Sequence, residues 1–233
     1  MKHINVATYN ICHGRYADLD WSRIASAIRE ADADMVGLQE IDMGTNRIGG
    51  QDTVAALTAA TGLTHALFVP AMDFDGGQYG TAILSRYPIV DCGILPLPSA
   101  SYEPRAFGWA TVDPGDGDPL TLLNTQLSYE SHTQQDIQFA YIADWMGKHL
   151  TPDTPAVLTG DFNTEDFSAF IPVTSLGYGL INQAAHEFKT FRHNPVAIDN
   201  IVYREGGITP EAFGMIESDA SDHNLLWCRF ELH

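Results

Sequence analysis

The residues of this chain best suited to chemistry are polar side chains standing at or beside the ends of apolar runs: Asn10, Glu40, Gln126, Asp161, Asn163, Asp199 and the pair Asp222-His223. Asp161-Phe162-Asn163 follows the run Ala156-Val157-Leu158-Thr159-Gly160. Alternate residues of a strand face the same way, so Asp161 and Asn163 are expected to project together while Phe162 turns into the core. Gly160 lets backbone or ligand come close just before them. A carboxylate beside an amide at a strand end can steer a water molecule. The same Asp-x-Asn pattern is also ordinary turn chemistry, and a cap or turn accounts for any one of these positions taken singly. Seven positions of this kind make coincidence a poor explanation, because function concentrates where strand ends and loops gather on one edge of a layered fold. Oxygen donors without sulfur suit a hard cation such as Mg²⁺ or Mn²⁺. His223 can donate to an oxyanion, and a second carboxylate could fix its tautomer.

The elements that would position these groups follow from periodicity. Ile4 to Ile11 alternates as a first strand, and Asp18 or Asp20 caps a helix from Trp21 to Ala31. Met35 to Leu38 is a short buried strand delivering Gln39 and Glu40. A helix over residues 52–61 closes on Gly62. Strands are expected at 65–70, 80–85, 89–95, 105–113 and 120–126, the last two joined as a hairpin by the turn-forming stretch 114–119. A third helix spans about residues 133–149, with Ile137, Ala140, Tyr141 and Trp145 on its apolar face. The strand ending at Asp161 comes next, then a short helical piece at 167–173 and strands at 198–203 and 225–232. Many strands with few helices between them point to two packed sheets with helices outside. The absence of repeats and linkers points to one domain over residues 1–233.

Bulk properties narrow the function. With 233 residues and 45% hydrophobic content the chain can bury a sizeable core, and no apolar run is long enough to span a bilayer. Cys12, Cys92 and Cys228 are too scattered for a disulfide framework and lack zinc spacing, and no signal-peptide pattern opens the chain. A reduced, cytoplasmic location is the expectation. Thirty acids against twelve Lys and Arg give a net charge of −18. Such a surface repels duplex DNA and anionic membranes, so duplex nucleic acid is disfavoured as a partner, although the charge equally describes a plain soluble surface. The sequence carries no signal for an oligomeric state.

The order of the fragments carries a resemblance. Thr8-Tyr9-Asn10-Ile11, Leu38-Gln39-Glu40 and Gly80 through Ile83-Leu84-Ser85-Arg86-Tyr87-Pro88 resemble the early motifs of the endonuclease/exonuclease/phosphatase superfamily, whose fold is that of deoxyribonuclease I. Asn124-Thr125-Gln126-Leu127, Gly160-Asp161-Phe162-Asn163, Ile198-Asp199-Asn200-Ile201 and Ser221-Asp222-His223 continue them in order. The resemblance covers essentially the whole chain. It implies an α/β (α+β) fold, a four-layer sandwich of two mixed β-sheets packed face to face with helices on both outer faces. It also implies metal-dependent hydrolysis of a phosphoester with Mg²⁺ (or Mn²⁺). By similarity Asn10 and Glu40 hold the cation, with Asp222 contributing. Asp161 resembles the base that activates water, Asn163 a helper, and His223 a donor to a phosphoryl oxygen, oriented by Asp199. Phosphoryl transfer needs in-line placement and charge neutralisation more than covalent chemistry, which agrees with these groups. One position departs: after Asn-Thr the family usually carries His, and this chain has Gln126, whose amide can donate a hydrogen bond but cannot carry a proton or a charge.

Gln39-Glu40-Ile41-Asp42 followed by Thr45-Asn46-Arg47, with Gly76-Gly77-Gln78-Tyr79-Gly80 and Glu103-Pro104-Arg105, is similar to the small bacterial metal-dependent hydrolase branch. Gln126, Arg47, Arg105 and His13 are the candidates for touching substrate, the arginines because guanidinium grips an anionic group in a bidentate way. Surface ion pairs are the alternative for both arginines, and an idle loop role for His13. Phe191 could stack on substrate or anchor the core. The expected activity is a phosphodiesterase or phosphatase acting on a small or lipid-derived phosphoester. The alternatives are a nuclease of the same chemistry on single strands or nucleotides, and a catalytically weakened metal-binding module. The lack of a basic stripe disfavours the nuclease, no exposed aromatic hairpin marks a membrane grip, and only Gln126 speaks for the weakened module.

Overall fold

The computed structural model describes residues 2–115, 119–185 and 187–233. Residues 116–118 of the expected 114–119 turn lie outside them. In chain order the elements are β1 (Lys2–Asn10), α1 (Trp21–Glu30), β2 (Met35–Met43), α2 (Thr53–Thr61), β3 (His65–Phe74), β4 (Gly77–Ser85), β5 (Ile89–Pro96), β6 (Ala106–Val112), β7 (Leu120–Gln126), α3 (His132–His149), β8 (Ala156–Asp161), α4 (Ile171–Thr174), β9 (Tyr178–Leu180), β10 (Asp199–Arg204), β11 (Ile208–Ile216) and β12 (Leu225–Leu232). Local signals set the helix ends as expected. The Asp20 carboxylate accepts from Ser22 N–H and that of Asp52 from Ala55 N–H, while Gly62 closes α2 in the left-handed conformation.

Two six-stranded sheets result, in the orders β11-β12-β1-β2-β4-β3 and β5-β6-β7-β8-β10-β9. Each has one parallel pair at its centre, β1 with β2 and β7 with β8, and each pair is linked through a helix, α1 or α3. The facing sides interlock through Ile4, Val6, Met35 and Ile83 of one sheet and Val112, Leu122, Val157 and Ile201 of the other. Full burial of each such side chain contributes about 1.5–3 kcal/mol. Ile24 and Ile28 of α1 and Leu57 of α2 cover the outside of the first sheet. Phe139, Ile142 and Met146 of α3 cover the second, where Phe139 stacks on Phe162 with ring centroids 5.1 Å apart. The chain is therefore a four-layer α/β sandwich of two mixed sheets.

A polar pin crosses the apolar interior near the carboxyl ends of the parallel strands. The Asn124 amide nitrogen on β7 donates to the carbonyls of Leu38 and Ala82 in the opposite sheet, both at 2.9 Å. Its Oδ1 accepts from Gln39 Nε2 at 2.7 Å and from Thr159 Oγ1 at 3.1 Å. Gly37 makes room for it, since a Cβ there would stand 2.1 Å from Thr159 Oγ1. Buried polar groups of this kind are stabilising only when satisfied together, so the pin fixes how one sheet registers on the other.

Three elements differ from the sequence expectation. On α3 the buried face is Gln135, Gln138, Phe139, Ile142 and Met146, while Ile137 and Tyr141 are exposed. The reason is tethering: Gln135 Nε2 donates to the carbonyls of Ser128 and Asn163, and Gln138 Oε1 accepts from Ser128 N–H. β9 has three residues, too few to show a period. β11 is an edge strand broken by a register shift between Pro210 and Ala212, which hides its alternation.

Candidate active site

Three of the four parallel strands end at one edge of the sandwich and β2 runs on past it, and each of the four delivers one polar side chain there. β1 ends on Asn10, β7 on Gln126 and β8 on Asp161. On β2 the pairing with β4 shifts between Leu38 and Ile41, and Glu40 stands at this bulge with φ 58°. A bulge re-aims a side chain that strict alternation would send elsewhere, and the left-handed backbone costs a non-glycine residue about 1–2 kcal/mol. The result is a square of two amides and two carboxyls. Asn10 Nδ2 lies 3.1 Å from Glu40 Oε1 and 2.9 Å from Asp161 Oδ2. Gln126 Nε2 lies 3.2 Å from each of the same two oxygens.

Partners behind the square fix which way the amides point. Asn10 Oδ1 accepts from Cys12 N–H at 3.0 Å. Gln126 Oε1 accepts from Arg105 Nη1 at 2.5 Å and from the Tyr79 hydroxyl at 3.3 Å. Burial, then the charge of Glu40, holds the Tyr79 phenol well above its usual range, so it stays a donor. Ser221 Oγ donates to the Asn10 carbonyl at 2.7 Å and ties the loop before β12 to the end of β1.

The environments of the two acids differ. Burial alone would raise the Glu40 carboxyl, but the nearby His13 ring, the hydrogen bond from Asn10 and the charge of His223 hold it down to about 2. Asp161 goes the other way: burial, then repulsion from Asp199, lifts its carboxyl above the usual range despite His223 and the Asn10 hydrogen bond. Asp199 is its cross-strand partner on β10, which places the two carboxyls together. Asp199 Oδ2 is 2.8 Å from His223 Nδ1, a pair that is almost wholly buried. Burial works against a cationic imidazole, yet Asp199, supported by Asp161 and Asp222, raises His223 well above its usual range. Nδ1 therefore carries a proton toward Asp199, leaving Nε2 as the ring's other donor.

These groups open on a cleft of about 660 Å³ that Glu40, Gln126, Asp161, Asn163, Asp222 and His223 all line. Asn163 reaches it by a turn instead of strand alternation: at φ 52° its N–H donates to Asp161 Oδ1 and its Nδ2 to the Leu127 carbonyl. Arg105 lines the cleft at 4% exposure, already joined to Gln126 and to Glu103 at 2.9 Å. Arg47 is not among the lining residues; it clasps Asp42 through Nε and Nη2, and its guanidinium carbon lies 4.6 Å from the Phe74 ring centroid. His13 is also absent from the lining and faces Glu40 Oε2. Phe191 lines the cleft with its ring 5.1 Å from that of His223.

Tyr79, Tyr129, His132 and Ser221 were not singled out by sequence reasoning. Tyr79 and Ser221 sat inside quoted motifs, but the partners that give them a role lie far off in the chain. Among the described residues two groups of possible metal ligands have their donor atoms within 4.8 Å of one another: Asp161 with Asp199 and His223, and Cys12 with His13 and Glu40. Glu40, Asp161, Asp199 and Asp222 gather carboxyl oxygens around one imidazole, and Arg105 is already paired. That oxygen-rich, negatively charged donor set fits a hard divalent cation.

Comparison with known proteins agrees with this architecture. Residues 7–223 match the Endonuclease/Exonuclease/phosphatase family. No curated protein sequence matches the chain. Among solved structures, an endonuclease/exonuclease/phosphatase from Beutenbergia cavernae DSM 12333 superposes with a TM-score of 0.84 at 22% identity, covering 100% of this chain and 72% of the other. A mannosyl-6-phosphatase of Bacteroides thetaiotaomicron VPI-5482 gives 0.74 at 17%, covering 99% of each. The human Nocturnin catalytic domain gives 0.75 at 18%, covering 99% of this chain and 94% of that one. At these identities the likeness speaks for the fold alone.

Proposed function

This chain belongs to the endonuclease/exonuclease/phosphatase family, whose members hydrolyse phosphoester bonds, and from that premise we propose that it is a divalent-cation-dependent hydrolase of a small phosphoester. The observation that carries the reading is the square of Asn10, Glu40, Gln126 and Asp161 beside the Asp199–His223 pair. Asp161 is the base: a carboxyl raised toward neutrality accepts a proton from water more readily than an ordinary aspartate. Both amides keep its Oδ2 in place, and Asn163 N–H holds Oδ1, so the carboxylate is aimed before substrate arrives. His223, charged and locked by Asp199, donates from Nε2 to a phosphoryl oxygen as negative charge builds there. Glu40, ionised and hydrogen-bonded, would hold Mg²⁺ or Mn²⁺ together with Asp222 and the Asn10 end of β1. When bound, that cation supplies charge neutralisation at the phosphoryl group and the leaving oxygen.

Charge supports a small substrate over a polynucleotide. Glu103, Glu165 and Asp166 line the same cleft and would repel a run of phosphates, and the chain carries a net charge of −18. The mannosyl-6-phosphatase among the structural neighbours is consistent with a sugar-sized ester. Among the described residues no helix is long and apolar enough to cross a membrane. The deciding experiment is a screen with Mg²⁺ and Mn²⁺ over phosphomonoesters, phosphodiesters, lipids and oligonucleotides. Turnover of small esters is expected; activity confined to oligonucleotides would overturn the substrate class, and inactivity throughout would overturn the hydrolase.

A further inference from the structure

Glu40 turns Oε1 to the two amides, while Oε2 faces His13 Nδ1 at 3.5 Å. That Nδ1 is buried and has no hydrogen-bond partner. Cys12 completes a triangle, with one donor atom each from Cys12, His13 and Glu40 mutually within 4.8 Å. The backbone holding them is unusual: Cys12 and His13 are consecutive left-handed residues at φ 45° and 44°, followed by Gly14 at 77°. A Cβ on Gly14 would stand 2.7 Å from the Trp21 ring, and Trp21 Nε1 donates to Gln51 Oε1 at 2.7 Å, so the loop is pinned from behind. Non-glycine residues persist in this region only where their surroundings over-determine them, and such positions cluster at ligand clamps.

We propose that Cys12, His13 and Glu40 form a second site, for a thiophilic divalent cation of the zinc class, which shares Glu40 with the hydrolytic centre and shuts it off when filled. Zinc takes thiolate at about 2.3 Å, imidazole at about 2.0–2.1 Å and carboxylate at about 2.0–2.2 Å, leaving a fourth position to water. Those bond lengths set tetrahedral donors roughly 3.3–3.8 Å apart, within reach of the triangle by small side-chain movements. The thiol proton leaves to solvent as the sulfur–metal bond forms. Magnesium does not take sulfur and prefers oxygen, so the thiol separates the two metals. Binding at this site takes the Glu40 carboxylate away from the oxygen set that would hold the hydrolytic cation.

The test starts from metal-free protein carrying Cys92→Ser, because Cys92 is exposed and would add background, whereas Cys228 is wholly enclosed in the core between the sheets and Cys12, at 8% exposure, is not. Titration with Cd²⁺ should raise one equivalent of thiolate-to-metal charge-transfer absorption. Cys12→Ser should abolish it, and His13→Ala should weaken Cd²⁺ binding by at least about tenfold. No absorption in the parent, or absorption that survives Cys12→Ser, would overturn the site. Should Cys12→Ser fail to fold, an unweakened titration of His13→Ala does the same. Zinc should inhibit Mg²⁺-supported turnover, with relief by excess Mg²⁺, and inhibition of Cys12→Ser should need at least about tenfold more zinc. Zinc bound without inhibition would overturn the sharing of Glu40. The optical titration needs no turnover, so it stands or falls separately from the hydrolase reading on which the inhibition rests.

Discussion

β1 and β2 bring an amide and a carboxyl to the cleft, Asn10 with Glu40, and β7 and β8 bring the same two groups, Gln126 with Asp161. The parts match and the electrostatics do not. Glu40 is partly open, with 23% of its side chain accessible, and meets hydrogen-bond donors and the His223 charge, so it is ionised at any working pH. Asp161 is 1% exposed and meets Asp199 across the strand pair, so it holds its proton more tightly. What separates the acid proposed as ligand from the acid proposed as base is deeper burial and then the neighbour on the next strand: β10 places Asp199 against β8, and β1 places no acid against β2.

The sharpest break of this comparison is Asp161→Asn. Turnover of bis-p-nitrophenyl phosphate or a matched monoester should fall by about 10²- to 10⁴-fold, and no concentration of Mg²⁺ should restore it. Circular dichroism should be unchanged; retained turnover would end the assignment of Asp161 as base. Glu40→Gln should behave in the opposite way, raising the Mg²⁺ needed for half-activation by about 10- to 100-fold, with part of the rate recovered at saturation. If metal rescues Asp161→Asn and leaves Glu40→Gln inactive, the two roles are reversed.

The two acids also predict opposite pH behaviour in the metal-free fold. Asp161 is raised from 3.8 to about 6, so the folded state binds its proton more tightly than the unfolded chain, and its contribution to stability falls as pH climbs through that range. Glu40 is lowered from 4.5 to about 2; the stability it adds is present above its unfolded value and lost only as pH falls through about 2. Thermal midpoints in a chelator, taken as parent minus Asp161→Asn, should therefore decrease from about pH 4 to about pH 7. A flat difference would mean that Asp161 titrates normally.

The smallest expected effect is at the odd position, Gln126→His. The glutamine already satisfies Arg105, Tyr79, Glu40 and Asp161 at once, which a neutral imidazole with one donor and one acceptor cannot do. Turnover should drop by about tenfold, the equivalent of roughly 1.4 kcal/mol. A rise would show that the departure merely weakens a site built for histidine.

Much of this was legible because it is local. Asp20, Asp52 and Gly62 mark helix ends within a few residues of the groups they bond, and the motif order named the cleft. What stayed hidden depends on distant partners. Gln126 looked like a lost histidine because Tyr79 and Arg105, 47 and 21 positions away, cannot be seen beside it in the chain. Asp161 and Asn163 were expected to project by alternation, and a left-handed turn does it instead. The face of α3 was misassigned because burial there follows loop tethers on Gln135 and Gln138, not hydropathy. Arg47 drew attention as a cation near the motif, and Asp42 occupies it.

β12 contributes none of the candidate catalytic groups, yet it lies between β1 and β11, and the loop before it sends Ser221 to the Asn10 carbonyl across 211 positions. β1 and β12 lie far apart in the chain, so their pairing is a long-range one. Without it one flank of β1 would present unpaired backbone groups, and the Ser221 loop that anchors the strand end would itself have no seat. A chain truncated just after His223 would keep every acid, amide and imidazole of the cleft but lose the strand that flanks β1 and seats the Ser221 loop, so it is expected to lose the geometry of the cleft with its chemistry intact in sequence.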